Sequence, residues 1–165
     1  MKYSIWLIPP EPAFSQIKSV IKQLSNDYGG PLFEPHITLV GNIDQDLSQI
    51  EKKLKLLSSG IEKFELSFGP VSFSTTYFQS VFLRVNSTAK LMDLSLTIKT
   101  TLGLENDVYM PHASLLYGNH SMTVREEIAS KIHFPKMSFL ANEFIITPST
   151  PNPKEWVHSA VIPFV

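Results

Sequence analysis

The chain contains no cysteine and only two arginines, Arg84 and Arg125, among 165 residues. Without cysteine there can be no disulfide and no thiolate chemistry, and a reducing cytoplasm is the expected setting. With so few arginines, no long run of like charge and a formal net charge of −1, the chain lacks the basic groove that a long polyanion calls for. A small anionic ligand suits it better. Long apolar runs are also missing: none approaches the roughly 18–20 residues that span a bilayer, so no membrane partner is expected. The opening M-K-Y-S-I-W-L-I-P-P has neither a full apolar h-region nor a small-residue cleavage site, and we read it as a first strand rather than a signal peptide. What remains, at 43 % hydrophobic content, is enough for an ordinary core in one domain, expected to be a monomer.

Apolar periodicity divides the chain into alternating strands and helices. Strands are expected at 3–8, 35–41, 63–68, 71–75, 78–85, 111–118, 137–147 and 156–164. Helices are expected at 12–27, 46–58, 88–102 and 123–132, the first three stopped by Gly29-Gly30-Pro31, Gly60 and Gly103. The Pro-rich stretch T-P-S-T-P-N-P, residues 147–153, reads as a hairpin connection.

Two of these strands carry an unusual pair of residues. P-H-I-T-L-V-G (35–41) sets His36 and Thr38 among apolar neighbours, and P-H-A-S-L-L-Y-G (111–118) does the same with His112 and Ser114. Side chains two apart on a strand share a face, so each pair presents an imidazole beside a hydroxyl, while Ile37 and Ala113 point oppositely into the core. The pentad P-H-x-[ST]-L arises by chance on the order of once in 10⁴ to 10⁵ positions. His112 follows His36 by 76 positions, and the same shift lays Ser4-Ile5-Trp6-Leu7 on Ser80-Val81-Phe82-Leu83. Two segments matching at one offset point to duplicated lobes.

Such a duplication places His36 and His112 on opposite sides of a groove. There one imidazole serves as base and the other as acid towards an ester, since the ordinary histidine pKa of about 6.5 suits both tasks. Pseudo-symmetry alone leaves open which does which. Thr38 and Ser114 are placed to donate hydrogen bonds to non-bridging phosphate oxygens. Two rival chemistries fit less well. A metal would have His36, His112 and at most His120 as ligands, short of a full set. A nucleophilic hydroxyl would lie parallel to its histidine, about 6 to 7 Å away, a poor geometry for activation. Neither a metal nor any other cofactor is expected.

The duplicated His-x-[Thr/Ser] pair resembles that of the two-histidine phosphoesterase superfamily. The segments Y-S-I-W-L-I-P, F-E-P-H-I-T-L-V, Y-F-Q-S-V-F-L and Y-M-P-H-A-S-L-L-Y are similar to the cyclic phosphodiesterases of plants and fungi. The resemblance spans nearly the whole chain. It implies a bilobal α+β fold, 1–165 as one catalytic domain, with two pseudo-symmetric antiparallel sheets facing a central cleft and helices outside. One lobe then holds both termini. It also implies metal-independent opening of ADP-ribose 1″,2″-cyclic phosphate or nucleoside 2′,3′-cyclic phosphates, with a 2′-5′ RNA ligase-like phosphodiesterase acting on RNA ends, or a non-catalytic nucleotide-binding module, as alternatives.

By position, His36 and His112 correspond to the acid-base pair and Thr38, Ser114 and Tyr117 to phosphate contacts. Strict alternation from His112 turns Tyr117 away from the cleft, so its role requires a bulge or twist before Gly118. Trp6 and Phe78 match aromatics near the cleft that stack on a base, with Gln79 a polar contact beside them; a core position for either aromatic is the alternative. His120, His133 and His158 lie outside the motifs and are expected to be surface or structural.

Overall fold

In the computed structural model, which describes all 165 residues, the expected helices form where their apolar stripes find a sheet to cover. Helix α1 (Ala13–Tyr28) buries Ile17, Ile21 and Leu24, and α3 (Ala89–Leu102) buries Leu91, Leu94, Ile98 and Leu102, the three- and four-residue spacing of one helical face. Between them α2 spans Leu47–Ser58, and α4 follows at Met122–Lys131. The Thr88 side chain caps α3 by accepting from the Leu91 N–H, and Gly103, at φ 68°, ends it in the left-handed conformation.

Eight strands complete the fold: β1 (Tyr3–Leu7), β2 (Ile37–Ile43), β3 (Phe64–Phe73), β4 (Val81–Val85), β5 (His112–Leu116), β6 (Ser138–Ala141), β7 (Glu143–Pro148) and β8 (Ala160–Pro163). They lie in the order β6-β3-β4-β5-β2-β1-β7-β8, every pairing antiparallel. The architecture is the expected bilobal α+β one, with a refinement. The two four-stranded halves touch at a single register pair, Ile37 opposite Ala113, between the two motif strands. The half β2-β1-β7-β8 carries both chain termini, so lobes and sequence halves do not coincide. The helices cross over as well: α1 follows β1 but packs on β5, and α3 follows β4 but packs on β2. Each lobe is therefore built from both repeats.

Several strand boundaries differ from expectation. The segments 63–68 and 71–75 are one strand, β3. Gly69-Pro70 inserts an extra residue between the Phe68–Val85 and Val71–Leu83 pairs rather than turning the chain. The run 137–147 is two strands parted at Asn142, because β6 pairs with β3 in one half while β7 pairs with β1 in the other. The expected strand 78–85 starts only at Val81, leaving Phe78 and Gln79 in the preceding loop; the expected 156–164 shrinks to β8, leaving Trp156 in the β7–β8 connection.

The repeat reappears in the register. In one lobe Leu7, Trp6 and Ile5 oppose Ile37, Thr38 and Val40; in the other Leu83, Phe82 and Val81 oppose Ala113, Ser114 and Leu116. One residue, Leu39 or Leu115, is thus left over at the same place in both motif strands, a β-bulge preserved at the 76-residue shift. The bulge lets Leu39 and Val40 in one strand, and Leu115 and Leu116 in the other, both enter the core although they are sequence neighbours. The face sense then flips, and Gly41 and Tyr117 return to the side of their histidines.

Ile37 is fully buried at the junction of the halves. Ile37→Ala is expected to cost about 2–5 kcal/mol, the range for truncating a buried aliphatic side chain, measured by urea denaturation.

Candidate active site

Each motif histidine is oriented by the backbone just before it. His36 Nδ1 lies 2.7 Å from the Glu34 carbonyl and His112 Nδ1 lies 2.9 Å from the Met110 carbonyl, again partners related by 76 positions. A carbonyl only accepts, so Nδ1 carries the hydrogen in both rings and Nε2 is left as the exchangeable nitrogen. Both rings line one cleft of about 430 Å³. Thr38, Gln79, Phe78, Tyr117 and Trp6 line it too, so the structure brings together most of the residues singled out in the sequence.

The two histidines differ in their aromatic neighbours. Trp6 lies flat on His36, with ring centroids 3.8 Å apart and planes at 16°, whereas Phe82, the counterpart of Trp6, meets His112 edge-on at 5.2 Å. Trp6 is thus both buried and part of the cleft wall, its face spent on the imidazole. Burial pushes the His36 pKa down to about 4, with a small further push from His112, against the pull of the Glu34 carbonyl. Burial also lowers His112, and the exposed Arg84 beside it acts in the same direction. Phe78, by contrast, is 39 % exposed at the cleft mouth and stands edge-on to Tyr117.

The hydroxyls are not equivalent either. Thr38 has an unpartnered hydroxyl, while its backbone carbonyl accepts a hydrogen bond of 3.0 Å from the half-buried Tyr109 phenol. Ser114 donates to the Phe78 carbonyl at 3.0 Å and is almost fully buried behind the cleft wall. Its hydrogen is therefore engaged, a point that strand alternation could not reveal. Burial raises the Tyr117 pKa, with the Ser114 hydroxyl opposing in part, so the phenol remains protonated. Tyr117 reaches the cleft through the bulge at Leu115.

Of the two arginines, the structure commits Arg125 to the backbone. It is 2 % exposed and donates to the carbonyls of Ser74, Thr76, His120 and Gly118 at 2.7 to 3.1 Å. The guanidinium thereby ties the loop carrying Phe78 and Gln79 to the turn after Tyr117. At that turn Gly30, φ 99°, passes so close to Tyr117 that a Cβ would sit 2.5 Å from the Tyr117 carbonyl oxygen, so glycine is required there.

The pattern also missed a wall of the cleft. The connection from Ser149 to Ser159 joins the antiparallel pair β7 and β8, as expected of a hairpin, and it also folds over the site as a strap. Trp156 stands edge-on to both Trp6 and His36, at 5.6 and 5.7 Å, and to Tyr117 at 5.9 Å. Its Nε1 donates to the Thr150 carbonyl, and His158 Nε2 meets the Glu34 carboxylate at 3.0 Å, fastening the strap to the segment before His36. Phe33, stacked on Tyr117 at 3.9 Å, was missed as well. A tryptophan beside a Pro-rich loop was the available signal; Phe33 gave none. His120 bonds the Tyr28 carbonyl and His133 is exposed, so neither joins the site. No three His, Cys, Asp or Glu side chains gather anywhere in the molecule.

A histidine held below its unfolded pKa binds fewer protons folded than unfolded, so its contribution to stability is present above about 6.5 and lost as pH falls. Stability is expected to drop between pH 6.5 and about 4, and to drop less in His36→Asn, read from urea midpoints against pH. In Trp6→Ala the His36 ring should titrate nearer 6.5, followed by its Cε1–H proton resonance.

Three comparisons place this geometry among known proteins. A cyclic phosphodiesterase from Arabidopsis thaliana is 29 % identical over 116 residues, 70 % of this chain and 64 % of that one. A 2′,3′-cyclic-nucleotide 3′-phosphodiesterase from Yarrowia lipolytica is 30 % identical over 138 residues, 77 % of this chain and 60 % of that one. The chain thus spans somewhat less than two thirds of either relative. Among solved structures, E. coli LigT complexed with 3′-AMP shares the fold at a TM-score of 0.66 and 15 % identity, over 99 % of this chain and 98 % of that chain. The model of the family described as cyclic phosphodiesterase-like protein matches residues 1–134, and the chain belongs to that family.

Proposed function

We propose that the chain is a metal-independent cyclic phosphodiesterase that opens nucleoside 2′,3′-cyclic phosphates to 2′-phosphates by two-histidine acid-base catalysis, acting as one catalytic unit over 1–165. The observation that carries this reading is the pair of equivalent His–carbonyl units, at His36 and His112, bordering one cleft with both Nε2 atoms uncommitted. The names of the Arabidopsis and Yarrowia relatives support the reaction class, and the 3′-AMP complex of LigT supports a nucleotide-sized ligand. None of the residues lining the cleft is Lys, Arg, Asp or Glu, which favours a small ligand over a polyanionic RNA chain. ADP-ribose 1″,2″-cyclic phosphate remains a second substrate to test.

In this mechanism the cyclic phosphate lies between the histidines, contacted by the Thr38 hydroxyl and the Tyr117 phenol. Ser114 joins them if its hydroxyl turns from the Phe78 carbonyl. Water attacks phosphorus in line with the departing ribose oxygen, so base and acid must stand on opposite sides. His36, kept neutral under Trp6, takes the proton of the attacking water. His112, more open to solvent, gives a proton to the ribose oxygen as its bond to phosphorus breaks. The hydrogen-bond donors stabilise the charge that builds on the phosphoryl oxygens.

Phosphorus NMR of a panel containing the four nucleoside 2′,3′-cyclic phosphates, ADP-ribose 1″,2″-cyclic phosphate and a 2′-5′-linked dinucleotide should show 2′-phosphates forming, with undiminished rates in EDTA. His36→Ala and His112→Ala should each lower kcat/KM by at least about 10²-fold; retention of most activity in either removes that histidine from the mechanism. The kcat/KM profile should be bell-shaped, rising near pH 4 as His36 deprotonates and falling again as pH increases and His112 loses its proton, with that descending limb shifted to the acid side of an ordinary histidine. An alkaline optimum would overturn the assignment of base and acid.

A further inference from the structure

The pseudo-twofold relation between the lobes breaks beside Thr38, and what is left there is a small polar recess. Past the bulge, one lobe places Tyr117 in the cleft; the position 76 residues earlier is Gly41. Ser80, counterpart of Ser4, is fully buried with an unpartnered hydroxyl. Ser4 is 8 % exposed, shares the cleft face of β1 with Trp6, and also has no hydrogen-bond partner, but its hydroxyl faces the space that Gly41 leaves. A Cβ on Gly41 would sit 3.5 Å from Ser4 Oγ and 3.7 Å from Thr38 Cγ2, so the recess adjoins the hydroxyl assigned to phosphate.

Two further groups rim the recess. Asn42 holds a positive φ of 56°, a conformation asparagine tolerates better than most residues. It is joined to the strap by the Ser149 hydroxyl, which donates to Asn42 Oδ1 at 3.1 Å. The amide nitrogen of Asn42 has no protein partner. The cleft-facing Ser4 hydroxyl, a free amide N–H₂ and a serine with acceptor capacity make a site for hydrogen bonds, and no fixed charge lines it. A ligand group that meets them exchanges bonds to water for bonds held in a fixed geometry, a modest net gain each.

We propose that Ser4, Asn42 and Ser149 form a specificity subsite, opened by Gly41, for an uncharged hydrogen-bonding group of the bound nucleotide: either the polar edge of its base or a sugar hydroxyl. The subsite rests on the reading of His36, Thr38 and His112 as the phosphate site. Apolar and aromatic parts of the ligand then turn towards Tyr117, Phe78 and Trp156, and polar parts towards Ser4. The strap contributes Ser149 from beyond the residues matched by the family model.

Calorimetric titration with inorganic phosphate, ribose 2-phosphate and nucleoside 2′-phosphates tests it without turnover. Asn42→Gly removes the amide while keeping the backbone conformation, Ser4→Ala removes the buried hydroxyl, and Gly41→Ala fills the recess with a methyl group at ordinary contact distances. Each should weaken nucleoside 2′-phosphates by about 10-fold and leave phosphate affinity unchanged. If ribose 2-phosphate weakens equally, the group is a sugar hydroxyl; if only the nucleotides weaken, it is the base edge. Unchanged nucleotide affinity in all three variants overturns the subsite, as does an equal loss of phosphate affinity, which would mark a purely structural role. A wild-type protein that binds neither phosphate nor nucleotide overturns the phosphate-site reading itself and the subsite with it.

Discussion

Leu39 and Leu115 each face no partner on the neighbouring strand, and the change of face they impose governs what the cleft contains. Before each bulge the motif strand alternates, with histidine and hydroxyl on one side and Ile37 or Ala113 turned to the core, although only Thr38 of the two hydroxyl residues lines the cleft. At the bulge two successive apolar residues enter the core together, and the next residue comes back to the cleft. Without the bulge, alternation would turn Tyr117 away from the cleft and bring Val40 to it in place of Gly41. A strand can serve a core and a site at once only if its pleat is shifted at the boundary between the two tasks.

Around that frame the chain controls protonation mainly by burial rather than by charge. The His36 ring lies under the Trp6 face and edge-on to Trp156, and no lysine or arginine lines the cleft. Desolvation therefore dominates, favouring the neutral imidazole until an anionic ligand arrives. Charge is kept out of the site and used to position it. Arg125 spends its donors on four backbone carbonyls, and Glu34 supplies a carbonyl to His36 and a carboxylate to His158.

Much of this was legible in the sequence because it depends on short-range periodicity. The helices fall within a residue or so of expectation, since an amphipathic stripe bounded by Thr88 and Gly103, for example, has local causes at both ends. The duplicated P-H-x-[ST]-L strands were legible for the same reason, and the need for a bulge or twist before Gly118 followed from counting faces. Strand ends were less readable. The run 137–147 is apolar enough to pass for one strand, and only the separate partners of β6 and β7 divide it at Asn142. Trp156 could not be assigned to the cleft, nor Phe33 to its place behind Tyr117, because what brings them there is the packing of the strap and of the segment before β2, with no local pattern to mark it.

The sequence by itself determined the repeat, the two histidines and their hydroxyl companions, because alternation along a strand and a constant 76-residue offset are properties of the chain alone. Only the tertiary structure decided how the symmetric pair becomes unequal. Trp6 lies flat on one ring while Phe82 meets the other edge-on, Thr38 keeps a free hydroxyl while Ser114 gives its own to Phe78, and Gly41 stands opposite Tyr117. Those differences arise where segments far apart in the chain pack together, and burial in that packing sets how readily each imidazole takes up a second proton.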